Sequence, residues 1–256
     1  MSKIPVLIFG HSLIHWLNIY QMKCKNNLGL SLTQFDLIFR GIRGGTFEWS
    51  PKSRSRFQRK SLVAYLTDMM VKSDPRIVYL QLGGNDLDNP NFNIEKIFTA
   101  IKSFAEFIAE GYDNVKVVCV GHVFKRLKPR IGFDDYERAR LALNSRISDL
   151  QGSHKKILIC RNFGFMNNVS LKFDNKGIHL TDEGNRCFAN NIKRELIAIR
   201  NSEYLRVFCL WLKLYDGNNM PHMLAFSYDI SAYGSINCDV CCLWRQNYNM
   251  CCLWQQ

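Results

Sequence analysis

Short apolar runs alternate with longer segments of helical periodicity along the first 200 residues of this chain. Five of the runs are continuous and rich in β-branched and aromatic side chains, as strands buried on both faces usually are. They lie at 4–10, 35–39, 77–82, 115–120 and 156–160. Apolar residues spaced by three and four positions predict five helices between and after them. These helices are expected at about 13–23, 57–71, 94–109, 134–150 and 181–200.

This alternation predicts an α/β fold with a doubly wound, five-stranded parallel sheet and helices on both faces. Right-handed crossovers bring the carboxyl ends of all the strands to one edge of such a sheet. Ligands bind beyond that edge in open α/β folds. Polar residues that directly follow the strands are therefore the candidates for function.

The pattern and the composition both change after residue 200. Six of the ten cysteines lie in 201–256, where Cys-Cys-Leu-Trp occurs at 241–244 and again at 251–254. A zinc site is disfavoured there, because adjacent cysteines rarely both ligate one tetrahedral ion. We therefore expect a domain at 1–200 and a poorly ordered extension at 201–256 that takes no part in the chemistry.

The chain is basic, and its charge is unevenly distributed. Its net charge is +12, while 201–256 holds three basic against four acidic side chains, so the first 200 residues carry all of the excess. One cluster, here called the basic rim, consists of Lys52, Arg54, Arg56, Arg59 and Lys60. A second cluster consists of Lys125, Arg126, Lys128 and Arg130. The clusters indicate either a surface that binds nucleic acid or another polyanion, or an ordinary solvated basic surface.

Nothing in the composition indicates a membrane protein. Apolar residues make up 47% of the chain and charged residues 22%, and no stretch reaches the roughly 18 consecutive apolar residues of a membrane span. The first residues lack the pattern of a signal peptide. We therefore expect a cytoplasmic location, in which the cysteines are thiols.

Four polar positions fall at the functional edge of the predicted sheet. Ser12 follows the first strand, a glycine-rich turn at 41–45 follows the second, Asn85 follows the third, and His179 precedes the last helix. Acyl transfer needs a nucleophile, a base and fixed donors for the oxyanion. We predict Ser12 as nucleophile, His179 as base, and the Ser12 N–H, the Gly44 N–H and the Asn85 side-chain amide as donors. Taken alone, the segment around Ser12 favours an ordinary turn in which the serine caps the following helix.

The motifs around these positions resemble those of a known family. They read Gly10-His11-Ser12-Leu13, Ile42-Arg43-Gly44-Gly45-Thr46, Gly83-Gly84-Asn85-Asp86 and Gly177-Ile178-His179-Leu180, in this order within residues 4–196. This set is similar to the SGNH (GDSL-type) hydrolases, and the broad look of the sequence is nearest to members found in animal retroelements. The resemblance implies a flavodoxin-like fold and a serine hydrolase, an esterase or deacetylase, that acts on small acyl esters without a metal or organic cofactor.

Two positions depart from the family pattern. His11 stands where the family usually has Asp, and Lys176 stands where it usually has an acid, three residues before the histidine. An ammonium there would lower the proton affinity of the imidazole. Asp174 and Asp182 are the candidates for a replacement acid, although a loop carboxylate and a charge in the first turn of a helix are also favourable without catalysis. Two hypotheses follow: hydrolysis by a Ser-His dyad, or an inactive fold that binds nucleic acid or another polyanion through the basic rim.

Overall fold

The computed structural model describes residues 3–49, 57–165 and 169–215, of which 203–215 are described as backbone only. The chain divides into two units, Met1–Arg206 and Val207–Gln256. Among the described helices, none has both the length and the apolar character that crossing a bilayer requires. The predicted extension lies largely outside the described residues, so its lack of order stays a prediction.

The first unit is built on one parallel five-stranded sheet, as the sequence pattern predicts. Its strand order is β2-β1-β3-β4-β5. The strands are β1 (Ile4–Gly10), β2 (Phe35–Gly41), β3 (Ile77–Gln81), β4 (Val117–Gly121) and β5 (Ile157–Cys160). The chain passes from β1 outward to β2 and then crosses to β3, so the point at which the winding reverses lies between β1 and β3. Such a switch point is where open α/β folds form their binding crevice.

Seven helices accompany the sheet in the described residues. They are α1 (Ser12–Cys24), α2 (Leu62–Ser73), α3 (Gly84–Leu87), α4 (Ile94–Gly111), α5 (Phe133–Ser148), α6 (Val169–Lys172) and α7 (Asp182–Tyr215). The short helices α3 and α6 are absent from the sequence prediction, because one turn is too brief to show a period. α7 continues beyond residue 200, the predicted domain boundary.

Two apolar cores cover the two faces of the sheet. Alternate residues of β1 divide between them, with Leu7 and Phe9 in one core and Val6 and Ile8 in the other. The first core also contains side chains of α2, α4 and α5, and the second contains side chains of α1 and α7. All four of these β1 residues are fully buried, which explains why the strand is continuously apolar in the sequence.

The predicted start of α2 was wrong by five residues. The predicted helix includes Phe57, but this residue is 43% exposed and the helix begins at Leu62. Ser61 caps the helix, since its hydroxyl accepts a hydrogen bond from the Ala64 N–H at 3.2 Å. A serine cap is a stronger start signal than one more apolar residue in phase.

A glycine at the end of β2 lets α1 pass very close to the sheet. A Cβ atom at Gly41 would lie 2.1 Å from the backbone nitrogen of His15. No side chain fits in that space, so only glycine permits the contact. This contact holds the first turns of α1, and with them Ser12, against the carboxyl end of β2.

Candidate active site

The structure brings Ser12 and His179 together across 167 positions of sequence. His179 Nε2 lies 3.2 Å from Ser12 Oγ. Ser12 is the first residue of α1 and is 6% exposed, whereas the imidazole is about one-third exposed. The pair sits at the carboxyl end of β1, beside the switch point of the sheet.

A short, internally bonded loop holds His179 in place. Phe173 and Leu180 form an antiparallel bridge, and within it the Asp174 N–H donates to the His179 carbonyl at 2.8 Å. Gly177 turns the loop with a φ of +64°, and a Cβ atom there would lie 2.8 Å from Leu127 Cβ. The Leu127 N–H donates to the Gly177 carbonyl at 2.7 Å. The histidine loop is thus fastened to the segment that follows β4.

Asp174 faces the imidazole from the side opposite Ser12. Its Oδ2 lies 3.7 Å from His179 Nδ1, which is ion-pair distance but too long for a hydrogen bond. Its Oδ1 accepts from the backbone N–H groups of Ile178 and His179 at 3.2 and 3.3 Å. These two bonds fix the carboxylate beside the ring.

The other predicted acid, Asp182, is engaged elsewhere. Its Oδ2 lies 2.5 Å from Lys23 Nζ, and both side chains are about two-thirds exposed. Lys176, at the position where the family usually has its acid, is exposed on the histidine loop. Of the two candidate acids, the structure therefore brings only Asp174 to the ring.

The surroundings of His179 favour its neutral form. Burial is the main cause that lowers the pKa of the imidazole, and the positive charges of Arg126, Lys176 and Arg43 lower it further. Asp174 opposes them and raises this pKa. A neutral imidazole at neutral pH is the form that can accept a proton from a hydroxyl.

The three candidate hydrogen-bond donors follow β1, β2 and β3 at the edge of the sheet where the pair lies. Within the part of the chain that the structure describes, neither the Ser12 N–H nor the Gly44 N–H has a hydrogen-bond acceptor. Asn85 Nδ2 donates to the Gly45 carbonyl at 2.9 Å, which occupies one of its two amide hydrogens. That bond joins the end of β3 to the glycine-rich turn after β2.

A buried arginine, missed as a site residue in the sequence, orients Asn85. Arg126 Nη2 donates to Asn85 Oδ1 at 2.6 Å, and Arg126 Nη1 lies 2.5 Å from Asp88 Oδ2. The Arg126 and Asp88 side chains are only 9% and 3% exposed. Arg126 lies in a run of basic residues, which is typical of a protein surface, and no local sequence pattern indicates its burial.

His11 caps α1 and stays neutral. Its Nδ1 accepts a hydrogen bond from the Leu13 N–H at 3.4 Å. Complete burial lowers its pKa to about 3, and the charges of Arg126 and His179 act in the same direction. The imidazole thus fills the position before Ser12 without adding a charge to the site.

Asp86 braces the turn after β2. Its Oδ1 accepts from the Phe47 N–H at 2.7 Å, whereas its buried Oδ2 has no partner among the described residues. Burial raises the pKa of this carboxyl to about 6. The role as a loop brace matches the helix-cap and turn chemistry of Asp.

The basic rim is only partly described. Lys52, Arg54 and Arg56 lie outside the described residues. Arg59 is exposed, while Lys60 pairs with Asp68. The second basic cluster is not a uniform surface patch, since its member Arg126 is buried. No described feature of either cluster specifically favours nucleic acid.

Trp16 is a further aromatic side chain at the site that the sequence reasoning counted only as part of a helix period. Its ring centroid lies 5.8 Å from that of His179 and 5.2 Å from that of His15. Among the described residues, no group of three or more His, Cys, Asp or Glu side chains could hold a metal ion.

Comparison with known proteins bears on the fold. No protein-family model and no curated protein matches the sequence. Several solved structures, in contrast, are similar to this chain. A GDSL-like lipase from Bacteroides thetaiotaomicron is 20% identical, with a TM-score of 0.58 over 76% of this chain and 88% of that one. A lipase/acylhydrolase from Enterococcus faecalis is 15% identical, with a TM-score of 0.56 over 76% and 95%.

A third structure extends the similarity to a carbohydrate acetylesterase family member from Sinorhizobium meliloti. It is 13% identical, with a TM-score of 0.57 over 76% of this chain and 97% of that one. None of the three bears on the resemblance to retroelement proteins. Because the similarity spans nearly all of each of these proteins, the chain has the SGNH (GDSL-type) hydrolase fold.

Proposed function

We propose that this protein is a serine hydrolase that cleaves small acyl esters, as an esterase or deacetylase. The observation that carries the proposal is the contact of 3.2 Å between Ser12 Oγ and His179 Nε2 at the functional edge of this fold. The similar structures named as a lipase, an acylhydrolase and an acetylesterase family member support the same reaction class.

The chemistry follows from the positions of the two side chains. His179 Nε2 takes the proton of Ser12 Oγ as the oxygen forms a bond to the acyl carbonyl carbon. The resulting imidazolium returns the proton to the leaving alcohol as the ester C–O bond breaks. Water then attacks the acyl-enzyme, with His179 again as the base, and the acid leaves as Ser12 is restored.

The oxyanion of each tetrahedral intermediate needs donors that are already in place. The N–H groups of Ser12 and Gly44, which lack acceptors in the described part of the chain, can supply two of them. The second amide hydrogen of Asn85 can supply a third, and Arg126 holds that amide in one orientation. No metal or organic cofactor enters this sequence of steps.

Asp174 supplies the negative charge that the family normally places three residues before the histidine. At 3.7 Å from His179 Nδ1 it stabilises the imidazolium by charge and favours the tautomer with the proton on Nδ1. Because both side chains are about one-third exposed, solvent weakens this effect. The dyad is therefore assisted by Asp174 to a smaller extent than in a buried triad.

A fluorophosphonate probe tests the nucleophile directly. We expect covalent labelling of the wild type, none of Ser12→Ala, and turnover of 4-nitrophenyl acetate that is lost in the same variant. Ser148→Ala is the matched control, since Ser148 Oγ lies 3.0 Å from a different imidazole, His122 Nε2. Labelling that persists in Ser12→Ala, or a folded wild type that never labels, would contradict the proposal.

A further inference from the structure

A small cavity lies beside the Ser12–His179 pair, on the side of α1 that contacts β2. Its volume is about 180 Å³. This cavity, here called the arginine pocket, is lined by His15, Arg40, Gly41, Ile42, Arg43, Phe57 and Tyr65. Nothing in the proposed reaction uses these side chains.

The pocket lies close to the Ser12–His179 pair. His15 lies one helical turn after Ser12, and Arg43 directly precedes Gly44 in the chain. The Trp16 ring links the two places, because its centroid is 5.8 Å from that of His179 and 5.8 Å from Arg43 Cζ. A substituent of an ester held at Ser12 can therefore reach the pocket.

The two arginines of the pocket lie against aromatic rings. Arg43 Cζ lies 4.1 Å from the centroid of the Phe57 ring, and Arg40 Cζ lies 5.0 Å from that of Tyr65. Stacking of this kind holds a guanidinium plane in place and leaves its N–H edge available. The positive charge of Arg43 also lowers the pKa of His15 and of His179.

The charge of these arginines is not neutralised by close carboxylates. Within the described ranges, neither Arg40 nor Arg43 forms an ion pair. The carboxylate of Asp68 is paired with Lys60, which is the main cause that lowers its pKa, and the charge of Arg40 contributes least to that lowering. The pocket therefore has two positively charged groups, aromatic walls and a volume that suits a substituent of a few heavy atoms.

We propose that the arginine pocket binds an anionic group, a carboxylate or a phosphate, carried by the ester substrate. This inference rests on the proposed function and narrows its substrate class. A guanidinium matches both groups because it can donate two parallel hydrogen bonds to their oxygens. Neutral esters such as 4-nitrophenyl acetate would then be poorer substrates than esters that carry an anionic group.

Matched pairs of esters test the preference for charge. Mono-4-nitrophenyl succinate and its methyl ester place the charge in the acyl part, while 4-acetoxybenzoate and its methyl ester place it in the alcohol part. A further ester, 4-acetoxyphenyl phosphate, distinguishes phosphate from carboxylate. We expect kcat/KM for the charged member of one pair to exceed that of its neutral partner by about tenfold, as one charge-assisted contact allows.

Substitutions of the two arginines test whether the preference for charged esters arises in this pocket. In Arg43→Gln the ratio of kcat/KM between the charged and neutral esters should fall to near one, and Arg40→Gln should lower it. Arg138→Gln is the matched control, because that side chain is 78% exposed on α5 and should leave the ratio unchanged. A ratio near one in the wild type for every pair, or equal losses in all three variants, would overturn the pocket.

Binding to Ser12→Ala separates this inference from the reaction itself. Calorimetry should show tighter binding of the charged ester than of its methyl ester, and the difference should disappear in Ser12→Ala/Arg43→Gln. Such a result supports the pocket even if the wild type never hydrolyses an ester. Turnover by the wild type with equal binding of both esters overturns the pocket and leaves the proposed function standing.

Discussion

The described chain contains two serine–histidine contacts, and their comparison shows why distance alone does not make a nucleophile. Ser12 Oγ lies 3.2 Å from His179 Nε2, and Ser148 Oγ lies 3.0 Å from His122 Nε2. His122 directly follows β4 and His179 lies shortly before α7, so both are at the carboxyl edge of the sheet. By distance, the second pair would be the better candidate.

The two serines belong to different helices and lie at opposite ends of them. Ser148 ends α5, and its hydroxyl donates to the Asn144 carbonyl at 2.9 Å, which engages the proton that a base would take. Ser12 begins α1, and its N–H has no acceptor among the described residues. First-turn N–H groups of a helix have no partner within the helix, so only Ser12 combines a hydroxyl with a donor for an oxyanion.

The charges around the two imidazoles also differ. Burial lowers the pKa of both, and at His122 the contributing charges, Arg161 and Arg140, are positive as well. At His179 the carboxylate of Asp174 opposes them. The surroundings, namely the donors and the balancing carboxylate, are the reason for proposing the Ser12–His179 pair, and not the Ser148–His122 pair, as the catalytic one.

Among changes outside the Ser12–His179 pair, the largest effect should come from removing Arg126, which orients the Asn85 amide. We expect Arg126→Met to lower kcat/KM by about 10²- to 10³-fold, the loss typical of one oxyanion donor. The unfolding free energy should fall by about 3–5 kcal/mol, because the buried Asp88 loses its ion-pair partner and keeps only backbone N–H donors. Ester kinetics and denaturant unfolding measure the two quantities.

Two further variants separate orientation from stability. Arg126→Met/Asp88→Asn should recover part of the lost stability while kcat/KM stays low. Asn85→Ala added to Arg126→Met should reduce kcat/KM little further, since both changes disable the same donor. Fully additive losses in kcat/KM would show that Arg126 does not act through Asn85.

A smaller effect, with a distinct pH signature, should follow from Asp174→Asn. His179 must be neutral to act as a base, and its pKa lies below the ordinary 6.5, so kcat/KM should rise with pH through a midpoint below 6.5. Asp174 raises this pKa, so its removal should move the midpoint to lower pH. We expect the plateau to fall about tenfold to hundredfold, less than in a buried triad.

The pH–rate profile is the measurement, and the histidine of the other pair is its internal control. The imidazole resonances of His122, followed by NMR, should titrate unchanged in Asp174→Asn. A midpoint that moves upward, or a shift at His122 equal to that at His179, would exclude the assigned role of Asp174.

The smallest effect should come from Lys176→Asp. This change removes a charge that lowers the pKa of His179 and introduces one that raises it, so the acid midpoint should move to higher pH. Because position 176 is exposed, we expect kcat/KM on the plateau to rise only about two- to fivefold. Lys155→Asp makes the same change of net charge on the exposed loop before β5 and should leave the profile unchanged.

Much of the scaffold could be predicted from the sequence because its signals are local. The continuous apolar runs mark the strands, and the alternation of strands and helices implies a parallel sheet with one functional edge. That edge brings together Ser12, Asn85 and His179 from distant parts of the chain. Their meeting follows from topology and does not require side-chain detail.

The missed residues depend on contacts that have no local signature. Arg126 meets Asp88 across 38 positions and Asn85 across 41, and a basic run gives no indication that one of its members is buried. Asp174 reaches the imidazole because the loop folds back through the Phe173–Leu180 bridge. Such turns are decided by tertiary packing, so sequence could name Asp174 as a candidate but could not choose it over Asp182.

The close contact at Gly41 has a consequence for how this protein could diversify. An added methyl group there would meet the backbone of His15 and displace the helix that begins with Ser12, so position 41 tolerates almost no change. Its neighbours Arg40 and Arg43 are exposed and can be exchanged without moving that helix. In the proposed enzyme, substrate preference can therefore evolve beside an unchanging reaction centre.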